Sequence, residues 1–190
     1  MLVLVRHAET TANVENRKTG QINVPLTPHG IEQSKGLKED MGGYKYDAVF
    51  LSDLERCQDT TWHAIGHTHP RETWTLAEEL RERSGGILEG LTYQDIRKQF
   101  APKHYKLWQR DYFEPPPQGE SFRDVEDRLI PFAKEYIFPL VNEGKNVWVC
   151  THMVPMKILI GYIKGMDETA IMKLPIENAM PYVLYGNVRV

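Results

Sequence analysis

Cysteine is nearly absent from this chain, with two in 190 residues, Cys57 and Cys150. They form no C-x-x-C pair, which argues against both a disulfide framework and a zinc ligand set. No apolar run approaches the ~18 residues a membrane span needs. The N-terminus lacks the basic-then-apolar layout of a signal peptide, so a cytoplasmic location is the expectation. Neither sign of charge is in excess: 23 Lys and Arg stand against 26 Asp and Glu, a net charge of -3. Without a basic balance or stripe, nucleic acid is not an expected partner. Any positive site must therefore be local, built from a few well-placed side chains. The glycine-lysine loop that cradles nucleotide phosphates is missing too.

What the chain does have is a set of short, uninterrupted apolar runs rich in Val and Leu. Leu2–Val5 is the first, and it stops abruptly at Arg6-His7. Such a run is too short for an ordinary helix and reads as a strand buried on both faces of a parallel sheet. Ala48–Leu51 is a second, followed by Ser52-Asp53 as an expected cap. Asn146–Thr151 is a third, and it ends in His152. In open parallel sheets the ligand crevice lies outside the carboxyl ends of the strands. Taken alone, Arg6 fits a strand-end surface charge and His7 a buried filler equally well.

The intervening segments read as follows. Glu9–Val24 is a long polar loop with room for a helical turn. Thr27-Pro28 opens a helix, with Thr27 as cap and Pro28 in the first turn, running to the Gly42-Gly43 stop. Leu54–Gly66 is a helix with Arg56 in its first turn, where free N–H groups favour anions and an arginine does not help the helix. Glu72–Leu76 is an edge strand. Residues 92–111 look helical with a break at Pro102, and their aromatic side chains read mainly as packing. Pro115–Pro117 stiffen a connector, after which a long helix runs from Glu120 or Ser121 to Gly144. Val154–Lys164 is a helix, and 181–190 look like a terminal hairpin.

If these strands are parallel neighbours, His7, His152, Arg6 and Arg56 converge at one rim. That combination suits a phosphoryl group. Guanidinium forks match phosphate oxygens, one neutral imidazole can attack phosphorus and carry it covalently, and the other cations stabilise charge on the equatorial oxygens. A carboxylic acid must protonate the leaving alkoxide. Glu78, Glu79 and Glu82 are all candidates, and spacing does not choose among them. The H-C-x5-R loop of a cysteine phosphatase is absent around either cysteine.

Here the chain resembles the histidine phosphatase (phosphoglycerate mutase-like) superfamily. Arg6-His7-Ala8-Glu9 resembles its R-H-G-E signature, with Asn13 at the later asparagine. Thr19-Gly20-Gln21, Leu26–Gln33, Ser52–Cys57, Leu80–Arg83 through Leu88–Gly90, Gly119-Glu120-Ser121 and Val149–His152 resemble its successive blocks. The resemblance implies an α/β three-layer sandwich with a mostly parallel central sheet and helices on both faces. Residues 1–190 would form one domain, with a helical and loop cap segment at about 91–121. It implies His7 as nucleophile, with Arg6, Arg56 and His152 binding the phosphoryl group and Glu82 as general acid and base. Asn13, Thr19 and Gly20 would line the pocket. Two departures stand out: Ala8 and Met153 replace the usual glycines after each histidine. A side chain at 153 would be costly if that backbone needed φ > 0.

The family contains hydrolases and mutases. The mutases pair two arginines after a tryptophan, whereas Trp108 is followed by Gln109-Arg110. They also carry an asparagine and a serine after the second histidine, absent from Met153-Val154-Pro155. The resemblance therefore favours a metal-independent phosphatase acting on a small-molecule phosphate ester, with no cofactor. Arg110, as a substrate ligand, keeps open a 2,3-bisphosphoglycerate-dependent phosphoglycerate mutase. A catalytically inactive phospho-ligand binding protein is a third reading, against which stands the joint presence of His7, Glu82 and His152. A homodimer remains open.

Overall fold

The computed structural model describes residues 1–188, and Arg110 by its backbone alone. In chain order the elements are β1 (Leu2–Arg6), α1 (Thr11–Val14), α2 (Pro28–Met41), β2 (Ala48–Ser52), α3 (Glu55–Ile65) and β3 (Trp74–Ala77). Then come α4 (Tyr93–Gln99), α5 (Pro102–Arg110), α6 (Phe122–Phe132), α7 (Phe138–Asn142), β4 (Val147–Thr151), α8 (Met153–Lys164), α9 (Glu168–Lys173) and β5 (Pro181–Leu184). The five strands make one sheet in the order β3-β2-β4-β1-β5, parallel except for β5.

The doubly buried reading of the apolar runs is what places this sheet in the middle. Leu2 and Leu4 face one core with α6 and α8, while Val3 and Val5 face another with α2 and α3. β4 alternates the same way, Val147 and Val149 against Trp148 and Cys150. A strand with both faces covered needs apolar residues at every position, hence the absence of alternation. β4 lies between β1 and β2, so the carboxyl ends of these three strands share one rim, which meets the condition the sequence reading had set.

The local signals behave as expected at α2, where the Gly30 N–H donates to Thr27 Oγ1 at 2.9 Å. Several expectations need correction. Asp53 is not a helix cap. It pairs with Arg81, and the residue before α3 is Leu54, whose N–H donates to Ser52 Oγ. The edge strand begins later than expected, at Trp74, because Arg71–Thr73 form a 3-10 turn. The long helix after Ser121 is interrupted by a π turn at Ala133–Ile137. Pro139 follows that turn and has no N–H to bond back to the Glu135 carbonyl, and a widened turn accommodates the missing bond. Finally, β5 pairs antiparallel with β1. Of the second hairpin arm only Val188 is described; it is buried and exchanges hydrogen bonds with Asn142.

The aromatic segment divides at Pro102 as expected. Ile96 and Tyr105 join Leu88 in a small apolar cluster of their own, flanked by Leu91, Tyr93, Phe100 and Trp108. Both cysteines are buried and free. Among the described residues, no helix is long and apolar enough to cross a membrane.

Candidate active site

Where β1 ends, the chain is pinned from three sides. The His7 N–H donates to the Thr151 carbonyl of β4 at 2.9 Å. The Ala8 N–H donates to Thr60 Oγ1 of α3 at 2.9 Å, and Asn178 Nδ2 donates to the His7 carbonyl at 2.8 Å. The imidazole of His7 is itself oriented. Its Nδ1 lies 2.8 Å from the Ala8 carbonyl, which can only accept. Nδ1 therefore carries the proton, and Nε2 keeps a free lone pair. Burial, and then the nearby guanidiniums of Arg56 and Arg6, hold the His7 pKa well below the usual histidine value. The ring is neutral at pH 7.

His7 opens onto a small cleft also lined by Arg6, Asn13, Thr19, Gly20, Glu82 and Met153. Arg6 donates through Nη1 to the Ile176 carbonyl at 2.9 Å, while its buried Nε has no partner among the described residues. Buried donors are nearly always paired, so an orphan beside a cleft needs an explanation.

Arg56 and His152 lie behind this wall rather than in it. Arg56 is about 1% exposed. Its guanidinium donates to the carbonyls of Gly20 (2.8 Å) and Ile22 (2.9 Å), and through Nε to His152 Nδ1 (3.2 Å). With Nδ1 accepting, His152 Nε2 carries its proton and donates to Ser52 Oγ at 2.8 Å. Burial, followed by Arg56 and then His7, depresses the His152 pKa as well. The two imidazoles meet edge to face with centroids 5.2 Å apart. Gly20 needs to be glycine here. Its φ is +49°, and a Cβ would fall 1.9 Å from Glu89 Oε1.

Glu82 reaches the site from the segment after β3. Its carboxylate accepts from the N–H groups of Arg83 (2.8 Å), Met153 (3.2 Å) and Val154 (3.3 Å). It thus occupies the N-terminus of α8, a position suited to an anion. Glu78 and Glu79 lie elsewhere, beside Arg81 and Arg128. Met153 begins α8 and is not among the described residues with positive φ, so its side chain carries no backbone strain. Arg110 ends α5, and its side chain lies outside the described residues. Among the described residues no group of three or more His, Cys, Asp or Glu side chains could hold a metal ion.

A family model described as the histidine phosphatase superfamily, branch 1, matches residues 2–186. The chain belongs to the histidine phosphatase superfamily. A 2,3-bisphosphoglycerate-dependent phosphoglycerate mutase of Chlamydia trachomatis is 29% identical to it, over 96% of this chain and 92% of that protein. A phosphoglycerate mutase of Schizosaccharomyces pombe is 32% identical, over 97% of this chain and 89% of that protein. The solved structure of a mycobacterial glucosyl-3-phosphoglycerate phosphatase complexed with VO3 superimposes with a TM-score of 0.83. Its identity is 27%, over 95% of this chain and 90% of that one. Proteins similar to this histidine phosphatase superfamily member thus carry the names of both phosphatases and mutases.

Several residues around the cleft escaped the sequence reading. Thr60 and Asn178 hold the backbone at His7, and nothing in their local sequence marks them. Lys18, Arg83 and Tyr93 line the cleft, and only the fold brings them together. Arg128 is the clearest omission. It forks onto Glu120 at 2.9 and 3.0 Å and donates to the carbonyls of Arg81 and Glu82 at 2.9 and 3.2 Å. Glu120 in turn accepts from the Ser84 N–H at 2.8 Å. This clamp sets the backbone on both sides of Glu82. Arg128→Ala should cost about 2–3 kcal/mol of stability, read by denaturant titration, because it strands several acceptors. It should also slow alkyl phosphate turnover about tenfold more than aryl phosphate turnover, since a displaced Glu82 matters most for poor leaving groups. Equal slowing of both ester types would leave the clamp a purely structural role.

Proposed function

We propose that this protein is a phosphomonoester hydrolase that works through a phosphohistidine at His7. The observation that carries the reading is the orphaned, buried Nε of Arg6 beside a His7 whose Nε2 lone pair is free. A phosphoryl oxygen supplies the acceptor Arg6 lacks, and it brings phosphorus to the nucleophile. His7 Nε2 attacks phosphorus as the bond to the ester oxygen breaks, and protonated Glu82 gives that oxygen its proton. The resulting Glu82 carboxylate takes a proton from water, which attacks phosphorus and releases inorganic phosphate from Nε2. The Arg6 guanidinium and Asn13 line the cleft where the equatorial oxygens would gather. Arg56 acts from behind, holding Gly20 and adding positive potential, and neutral His152 accepts from Arg56 Nε. No step calls on a metal, so hydrolysis is expected to persist in excess chelator.

A mutase is the second reading, supported by the names of the Chlamydia and Schizosaccharomyces relatives. Against it stand Gln109, in place of one of two paired arginines, and the Met153-Val154-Pro155 sequence. With 3-phosphoglycerate, the hydrolase reading expects release of inorganic phosphate whether or not 2,3-bisphosphoglycerate is present. Rapid conversion to 2-phosphoglycerate, stimulated by the bisphosphate, would overturn it.

A further inference from the structure

One short segment between α9 and β5 meets the end of β1 three times. The Ile176 carbonyl accepts from Arg6 Nη1 at 2.9 Å. Asn178 Nδ2 donates to the His7 carbonyl at 2.8 Å. The Ala179 N–H donates to the Arg6 carbonyl at 3.0 Å. Residues 176–179 thus hold the backbone at Arg6 and His7, and the Arg6 guanidinium as well.

The backbone of this segment is unusual. Ala179 has a φ of +51°, in the left-handed region that a residue with a Cβ occupies at a cost. Such strain persists only where the surroundings over-determine it, and it gathers at functional sites. Here the surroundings are firm at both ends. Before the segment, Lys157 Nζ donates to the Met172 carbonyl at 2.7 Å. α9 also lies so close to α8 that a Cβ on Gly161 would fall 2.2 Å from Ile171 Cγ1. After it, β5 pairs with β1, with Pro181 opposite Val5.

The Asn178 bond bears on the ring of His7. The peptide joining His7 to Ala8 is held at both of its polar atoms, the oxygen by Asn178 and the N–H by Thr60 Oγ1. The plane of that peptide directs the chain into Ala8, whose carbonyl is the acceptor for His7 Nδ1–H. That acceptor in turn fixes which ring nitrogen keeps its lone pair. Any donor would satisfy the His7 carbonyl. Satisfaction alone does not explain why one strained segment supplies it together with two bonds to Arg6.

We propose that Asn178 is a positioning residue for the nucleophile, setting the tautomer and direction of the His7 ring through the His7–Ala8 peptide, while the rest of segment 176–179 registers Arg6 against it. This rests on the reading of His7 as the nucleophile of a phosphomonoester hydrolase.

The test compares Asn178→Ala with Asn178→Asp, which keeps the shape of the side chain but turns an acceptor toward the His7 carbonyl. A misdirected nucleophile costs rate rather than binding. In both variants kcat for nitrophenyl phosphate is expected to fall roughly 10–100-fold, with KM kept within about threefold. Long-range proton–nitrogen spectra of the histidine rings supply the second reading. In the native chain His7, identified by its absence in His7→Gln, is expected as the Nδ1–H tautomer. Both Asn178 variants should lose that preference. Native-like kcat in both variants would overturn the proposal, as would a loss carried by KM alone or His7 ring signals identical to the native ones. Failure of both variants to fold would assign the bond to the fold and overturn it as well. If the native chain turns over no ester, the hydrolase reading falls, and the His7 ring signals still decide what Asn178 does.

Discussion

His7→Ala is expected to lower kcat for any phosphate ester by roughly 10^5-fold or more, the scale seen when a covalent nucleophile is removed. The ground for this expectation is the geometry of the ring. Nδ1–H is committed to the Ala8 carbonyl and Nε2 faces the cleft as a bare lone pair. Alanine removes the atom proposed to form the bond to phosphorus. The fold should survive, because the backbone at position 7 is held by main-chain bonds to β4 and by Asn178 rather than by the ring. In the native protein, brief mixing with substrate should reveal phosphate on one histidine, labile to acid and stable to alkali, and none in the variant. Activity within tenfold of native in His7→Ala would discard the covalent mechanism.

The same residue sets an expectation for pH. Burial first, then Arg56 and Arg6, lower the His7 pKa well below 6.5. A lowered pKa means that the proton is bound only at more acidic pH, so the nucleophilic form persists as pH falls through 6.5. The acid limb of kcat/KM belonging to free His7 should therefore lie below 6.5. A limb centred at the ordinary histidine value would show that the two guanidiniums do not act on the ring.

The second large effect is expected from Glu82→Gln. General acid catalysis by a positioned carboxyl contributes about 10^2–10^4-fold, and the share depends on the leaving group. Alkyl phosphates, whose alkoxides leave poorly, should slow about 10^3-fold in the first step. A nitrophenyl phosphate, whose phenolate needs little help, should still phosphorylate His7 quickly. Its second step should then stall, because no carboxylate remains to deprotonate water. The expected record is a burst of about one nitrophenolate per active site, followed by slow turnover, with phosphohistidine accumulating. Glutamine should cost about 1 kcal/mol of stability, since its NH2 faces the Met153 N–H where an oxygen had accepted. Equal slowing of alkyl and aryl esters with no burst would reduce Glu82 to a cap on α8.

How much of this was legible beforehand differs from residue to residue. Leu2–Val5 and Val147–Thr151 could be read as doubly buried strands because a two-faced burial leaves no polar position. Thr27-Pro28 announced α2 because a cap and a ring-fixed φ are local chemistry. Pro139 was equally visible, yet the π turn before it was missed, since a proline in a helix can be met by a kink, a stop or a widened turn. Glu82 could not be separated from Glu78 and Glu79 by spacing. Family resemblance singled it out, and the structure places its carboxylate against the N–H groups of α8. Lys18, Arg83 and Arg128 gave no signal, because a lone cation in a polar stretch looks like a solvated charge until its neighbours are known.

Arg6 and His7 divide the two sources most clearly. By itself the sequence determined that a buried strand ends in a cation and an imidazole, and that His152 ends another, since strand length and apolar continuity are properties of neighbouring residues. Only the tertiary structure decided that β4 lies between β1 and β2, that Arg56 and His152 stand behind the cleft, and that Lys18 and Arg83 stand within it. The physical reason is that charges act over a few ångströms of space, whereas these residues are separated by tens of positions along the chain. No local propensity records which distant carbonyl or carboxylate will satisfy a guanidinium, and that choice is what separates a wall of the cleft from its support.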